Sequence, residues 1–130
     1  MSTLGAIDRE AFLQALVARL PEIARSITEN ECGLLHMEMA VVSHATHEAI
    51  EAQNWNTLET HFSFISEVLQ RGTEAVQNAV YVSYLENVFL GETKLEFACA
   101  RAMLPPALAG ALAKLEAHFE VLACAKPGDA

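Results

Sequence analysis

Four residues in one stretch carry the side chains that bind metals and move protons: His44, His47, Glu48 and Glu51. Their spacings of three, four and seven place them on adjacent turns along one side of a helix, as a helix-borne metal site requires. In an antiparallel hairpin turning near Asn54, His61 reaches about the level of His47, so His44, His47, Glu51 and His61 form the candidate set for a divalent transition metal. The pattern departs from established metal motifs. Dinuclear iron bundles use Glu-x-x-His pairs, which this chain lacks, and His47-Glu48 continues to Glu51 where zinc proteases carry a second histidine. On a helical wheel, His44, His47 and Glu51 lie opposite the Leu34/Val42/Ala45 side and point to water. No resident cofactor is expected, and His36 and His118 have weaker claims as ligands.

Three polar residues fall on apolar faces and are expected to be buried: Glu38, between Leu34 and Val41/Val42, and Asn78 and Glu86 in the most apolar stretch of the chain. An unpaired buried carboxylate is costly, so Glu38 calls for an arginine, an escape to the edge, or a raised pKa suited to acid–base work. A nucleophilic site is absent from the pattern. Ser43 precedes His44 and Cys99 sits in FACARAM, but neither has a nucleophile elbow or an activating partner. The six glycines are isolated, so no phosphate loop exists. These absences point away from an enzyme. Trp55 in the QNWN turn, with Met37 and Met39, is the candidate docking patch.

The chain has 130 residues, seventeen acidic and eight basic, for a net charge of −9. The basic residues are scattered, and phosphate neutralisation needs them clustered, so nucleic acid is disfavoured as a partner. Acidity favours a basic protein partner. Cys32, Cys99 and Cys124 are odd in number, lack CxxC spacing and sit among apolar residues, which reads as packed, reduced thiols. No secretion signal or membrane anchor is visible, so the expected setting is cytoplasmic.

The elements follow from periodicity and caps. The organising stretch is Val76 to Leu90, apolar on nearly every side at about 100° per residue, framed by Thr73 as N-cap and Gly91 as stop. A helix hydrophobic all round must be covered all round. Before it come a helix from Asp8 through Leu20, with Ile7 and Phe12 as a staple, and a short helix from Pro21 to about Thr28. A long helix from Glu31 to Gln53 and one from Thr57 to Arg71, capped by Asn56, complete the approach. After it, Thr93 and Glu96 resemble a capping box for a helix through Met103, and Pro105-Pro106 turns the chain into a last helix to about Ala123 with Leu108, Leu112, Leu115, Phe119 and Leu122 as its core row. The expected fold is all-α: one domain over residues 1–130, an irregular antiparallel bundle of six or seven helices around the central one, with frayed ends at about 1–6 and 125–130.

The stretch NWNTLETHFSFISEVLQRGTEAVQNAVYVSYLENV resembles a family of small bacterial all-helical domains of unknown function. The resemblance rests on a hairpin, a glycine turn and the pattern Val-x-Asn-Ala-x-x-Val-Ser-[Phe/Tyr]-Leu-Glu. Val76, Asn78, Ala79, Val82, Ser83, Tyr84, Leu85 and Glu86 carry that pattern here. It implies an all-α fold and a bacterial cytoplasmic setting, and it carries over no catalytic residue. Some helical proteins that neutralise toxins are similar at the level of fold. The functional expectation is therefore a non-enzymatic protein-interaction module, of the immunity-like kind that binds a basic partner. The alternative is a bundle that binds a metal or small ligand through the histidine set. Homo-oligomerisation through a helix face is compatible with both.

Overall fold

The computed structural model describes residues 6–124, with side chains through Glu120. Apart from Ala6, the ends expected to fray lie outside that range, as do the side chains of Leu122 and Cys124. The described chain is all-α.

Helix α1 (Arg9–Arg19) opens at Asp8, whose Oδ1 accepts the Ala11 N–H at 2.9 Å. Ile7 and Phe12 are both buried beside this cap, completing the staple. Pro21 starts α2 (Pro21–Arg25), which stops short of Thr28 because the chain tightens at Ser26, whose N–H donates to Ile23. Helix α3 (Leu35–Glu51) begins later than Glu31. Gly33 has a φ of 94°, a left-handed conformation that breaks a helix, and Leu34 beyond it is exposed rather than part of the core face.

Helix α4 (Trp55–Arg71) is capped by Asn54, not Asn56: the Asn54 side chain accepts the Thr57 N–H at 3.4 Å. The central helix, α5, covers residues 74–89 as an α-helical turn (Glu74–Ala79), a π-helical segment (Val80–Leu85) and a final α-helical turn (Glu86–Phe89). Thr73 caps it, accepting the Val76 N–H at 3.3 Å, and Gly91 follows it at a φ of 83°. Helix α6 (Leu95–Ala102) forms without the expected Thr93 capping box; Lys94 is its N-cap and makes no side-chain bond there. Helix α7 (Pro106–Cys124) starts at the double proline.

The central helix packs against α3, α4 and α7. Its buried residues are Val76, Ala79, Val80, Ser83, Tyr84, Leu85, Val88 and Phe89, while Val82 is 41% exposed and Tyr81 half-buried. The expectation of cover on every side therefore fails, for an angular reason. A four-residue step overshoots a full turn by about 40° in an α-helix, and the wider turn made by i→i+5 bonds removes or reverses that overshoot. A helix that mixes the two keeps its i, i+4 rows straight. The buried residues gather on one broad side, and Asn78, Val82 and Glu86 line up on the other.

The junction between α4 and α5 is held from outside by the N-terminal segment. Ile7 N–H donates to Arg71 O at 2.7 Å and Thr73 N–H to Ile7 O at 2.9 Å, a single parallel bridge across Gly72. Gly72 has no room for a side chain: an added Cβ would lie 2.5 Å from Val68 O and 2.9 Å from Val76 Cγ1. Gly110, within α7, has open space around it. We therefore expect Gly72→Ala to destabilise by about 1–3 kcal/mol through overpacking, and Gly110→Ala to stabilise by about 0.5–1 kcal/mol. Urea unfolding of the two variants checks both signs, and equal effects would contradict the packing at Gly72.

Candidate functional site

Helix α3 presents His44, His47 and Glu51 to a shallow groove of about 490 Å³, whose walls are completed by Ala40, Ser43 and Asn87. The His47 ring packs on Phe97 with centroids 4.8 Å apart, its Nε2 lies 3.0 Å from Glu92 Oε2 and its Nδ1 3.7 Å from Glu51 Oε1. His44 lies beside Glu48, and Lys94 beside Glu51. His61 is not part of this arrangement. It matches His47 in level along the hairpin but differs in direction, turning into the core where it is 5% exposed. Thus the expected four-residue set is not assembled, and among the described residues no group of three or more His, Cys, Asp or Glu side chains is placed to hold a metal ion.

The same seam brings Ser83 Oγ within 2.7 Å of His36 Nδ1. That is the distance of a nucleophile and its base, yet the His36 ring has no carboxylate partner among the described residues. Ser43 donates to Ala40 O, and Asn87 donates to Ser83 O at 3.0 Å. The His36–Ser83 contact, with Asn87 donating to Ser43 Oγ at 3.5 Å, links α3 to α5.

Of the three polar residues expected inside, only Glu38 is fully buried. Asn78 is exposed and Glu86 intermediate, because the straightened row carries both outward. Arg9 meets the Glu38 carboxylate with Nε at 2.9 Å and Nη2 at 2.6 Å, and Gly33 N–H adds a bond at 2.8 Å. The guanidinium, with help from that amide, holds the Glu38 carboxyl below the usual range against the opposing effect of burial. Glu38 is thus an anchor for α1 and the loop before α3.

A second buried polar group escaped the sequence reading. Thr46 Oγ1 lies 3.0 Å from His61 Nδ1 and 2.9 Å from Tyr84 OH, joining α3, α4 and the π-helical segment. Burial pushes the Tyr84 phenol up and the His61 imidazole down. The direction of the chain follows the His61 tautomer: with Nδ1 unprotonated Thr46 donates to His61 and accepts from Tyr84, and with the proton on Nδ1 His61 donates to Thr46. Protonating His61 makes Nδ1 a donor, so Thr46 Oγ1 accepts from it and the Thr46 hydroxyl proton loses His61 as its acceptor.

The expected docking patch also changes. Met39 is fully buried, Met37 is 46% exposed, and Trp55 is half-buried against the core. Residues two apart on a helix point about 200° apart, so Met37 and Met39 cannot share a surface. Cys32 and Cys99 are exposed rather than packed. Phe119, expected in the core, is 39% exposed. With Val82 it lines a groove of about 430 Å³ between α5 and α7, together with Asn78, Tyr81, Glu86, Lys114, Leu115 and His118.

The chain belongs to the family described as "Domain of unknown function (DUF7674)", whose model matches residues 13–120. No curated protein and no solved structure matches it. The matched span contains both grooves and the Thr46–His61–Tyr84 chain, and it leaves out Ile7 and Arg9. No helix among the described residues is long and apolar enough to cross a membrane.

His61 gives a pH prediction. Its folded pKa is depressed by burial, so below the ordinary histidine value the unfolded chain binds the proton more readily and stability falls as pH falls. The loss runs from about pH 6.5 down through the folded pKa. Urea midpoints between pH 7.5 and pH 5 should therefore fall more for the native chain than for His61→Asn, which retains a hydrogen-bonding group near Thr46 but does not titrate. Parallel curves would show that His61 carries no proton linkage.

Proposed function

We propose that this member of the family is a non-enzymatic protein-interaction module whose partner is basic. One observation carries the reading: the chain spends its cations internally. Arg9 pairs with Glu38, Arg19 and Arg71 with Glu67, Lys94 with Glu51 and Arg101 with Glu116. Among the described residues this leaves Arg25 and Lys114 as the lysine and arginine side chains outside an ion pair. The outward field is therefore that of the remaining carboxylates, Glu10, Glu22, Glu29, Glu59, Glu74, Glu86, Glu96 and Glu120 among them. Such a field repels nucleic acid and anionic lipid and speeds encounter with a basic protein. The exposed apolar lips at Val82 and Phe119 supply contact area beside it.

The test is capture by the tagged full chain from its own cell lysate at low and moderate salt, followed by association kinetics with whatever is retained. We expect a stoichiometric basic protein whose association rate falls several-fold as ionic strength rises. Recovery of the chain alone, or a partner whose rate ignores salt, would overturn the reading. A stoichiometric transition metal in the native mass would transfer it to the metal-binding class.

A further inference from the structure

The groove between α5 and α7 has a definite shape. Tyr81 and Leu115 are its more covered residues, and Val82 and Phe119 rise on its lips at 41% and 39% exposure. A second shallow depression, lined by Leu90, Glu116, Phe119 and Glu120, shares Phe119 with the first. The two make one apolar track that passes from Val82 across Phe119 to Leu90. Along one side of it the row Asn78, Val82, Glu86 is held straight by the π-helical segment. In an uninterrupted α-helix that row would wind away by about 40° at each step.

A straight track flanked by two helices suits a rod, and the rod that proteins present is a third helix, read through anchors at i, i+3, i+4 and i+7. The rim specifies its charge. Glu86 and Glu120 have no lysine or arginine partner among the described residues, and Glu116 is held by Arg101 at 2.6 Å. Lys114 is the cation facing them, so the rim remains acidic. A second copy of this chain, at a net charge of −9, would bring repulsion to the same surface.

We infer that this track is the docking site for a cationic amphipathic α-helix of a partner protein, its apolar residues seated at Val82, Phe119 and Leu90 and its lysines or arginines set against Glu86 and Glu120. The inference rests on the interaction reading above and names the surface and the partner element.

The probe is a synthetic helical peptide of about 18 residues with leucine at i, i+3, i+4 and i+7 spacing and lysine elsewhere. Two controls keep its composition or its pattern: a scrambled lysine peptide, and the same leucine pattern with glutamate for lysine. Each is titrated into the isotope-labelled full chain. The lysine helix should bind, with amide shifts concentrated at residues 78–90 and 114–120. Val82→Asp and, as a milder second variant, Phe119→Ser should each weaken it by about tenfold or more while leaving the folded spectrum intact.

Equal binding of the scrambled peptide, or shifts centred on His44 and His47, would place the attraction elsewhere and overturn the site. Failure of the lysine helix to bind overturns the helix class. A dimer of the free chain that dissociates on Val82→Asp would make a second copy the occupant and overturn the stated partner. If a basic protein is captured from lysate and survives both variants, the groove is wrong and the acidic interaction reading stands. Should capture and peptide both fail, both readings fall.

Discussion

A central helix must satisfy several neighbours with one angular step, and α5 does so by changing the step. With uniform α-helical turns its apolar residues would point in every direction. The π-helical segment over Val80–Leu85 collects Val76, Ala79, Val80, Tyr84 and Val88 toward the core and leaves Asn78, Val82 and Glu86 outside. Two consequences follow from one change in backbone geometry. Tyr84 reaches Thr46 across the α3 interface, and the outer row becomes straight enough to form a groove wall with α7. Widened turns of this kind frequently coincide with functional sites, and the docking site we propose would owe its straight wall to this one.

The buried polar groups fix which helices meet. Glu38 has a guanidinium on two nitrogens and a backbone amide, so α1, the loop at Gly33 and α3 are tied at one point. Thr46 ties α3, α4 and α5 at another. Hydrophobic contact is non-directional and would accept several packings of these helices. An unmet carboxylate or hydroxyl is costly, so a competing packing must satisfy the same groups. Among the described residues, buried side-chain nitrogen and oxygen atoms all have partners. The arrangement thus selects one register, and it uses Arg9 and Ile7, which lie before the span matched by the family model.

What could be read from the sequence was whatever depended on local chemistry. Asp8 and Thr73 as caps, the proline corners at Pro21 and Pro105, the all-α class and the central position of α5 follow from side-chain geometry within a turn or two. Errors arose where direction in space decided. Gly33 and Gln53 adopt positive φ and moved helix boundaries at both ends of α3. His61 had the right level for a metal set and the wrong direction. Phe119, on the regular helix α7, was placed inside by extending the row of Leu108, Leu112 and Leu115 one step beyond its last buried residue. Asn78 was placed inside by a wheel that assumed 100° at every residue of the central helix. Val82, the residue on which the apolar track turns, was hidden for the same reason: hydrophobic and centrally placed, it looked like core. The missed clue was the row Asn78, Val82, Glu86, polar at both ends with four-residue spacing.

On the proposed interaction reading, charge and shape would divide the work of recognition at such a surface. Long-range attraction between carboxylates and a basic partner raises the encounter rate and fades with salt. It has little power to choose among basic proteins, because Glu10, Glu22 and Glu29 contribute to it from outside the two helices that line the groove. Choice requires contacts that are made only when shapes match, and these are the half-exposed Val82 and Phe119, which lose water when covered by apolar atoms at helical spacing. An acidic shell without the track would bind many cationic proteins weakly. The track without the shell would attract apolar helices indiscriminately, including those of its own kind, and the net charge of −9 opposes that association. Each feature therefore restricts the partners that the other would admit.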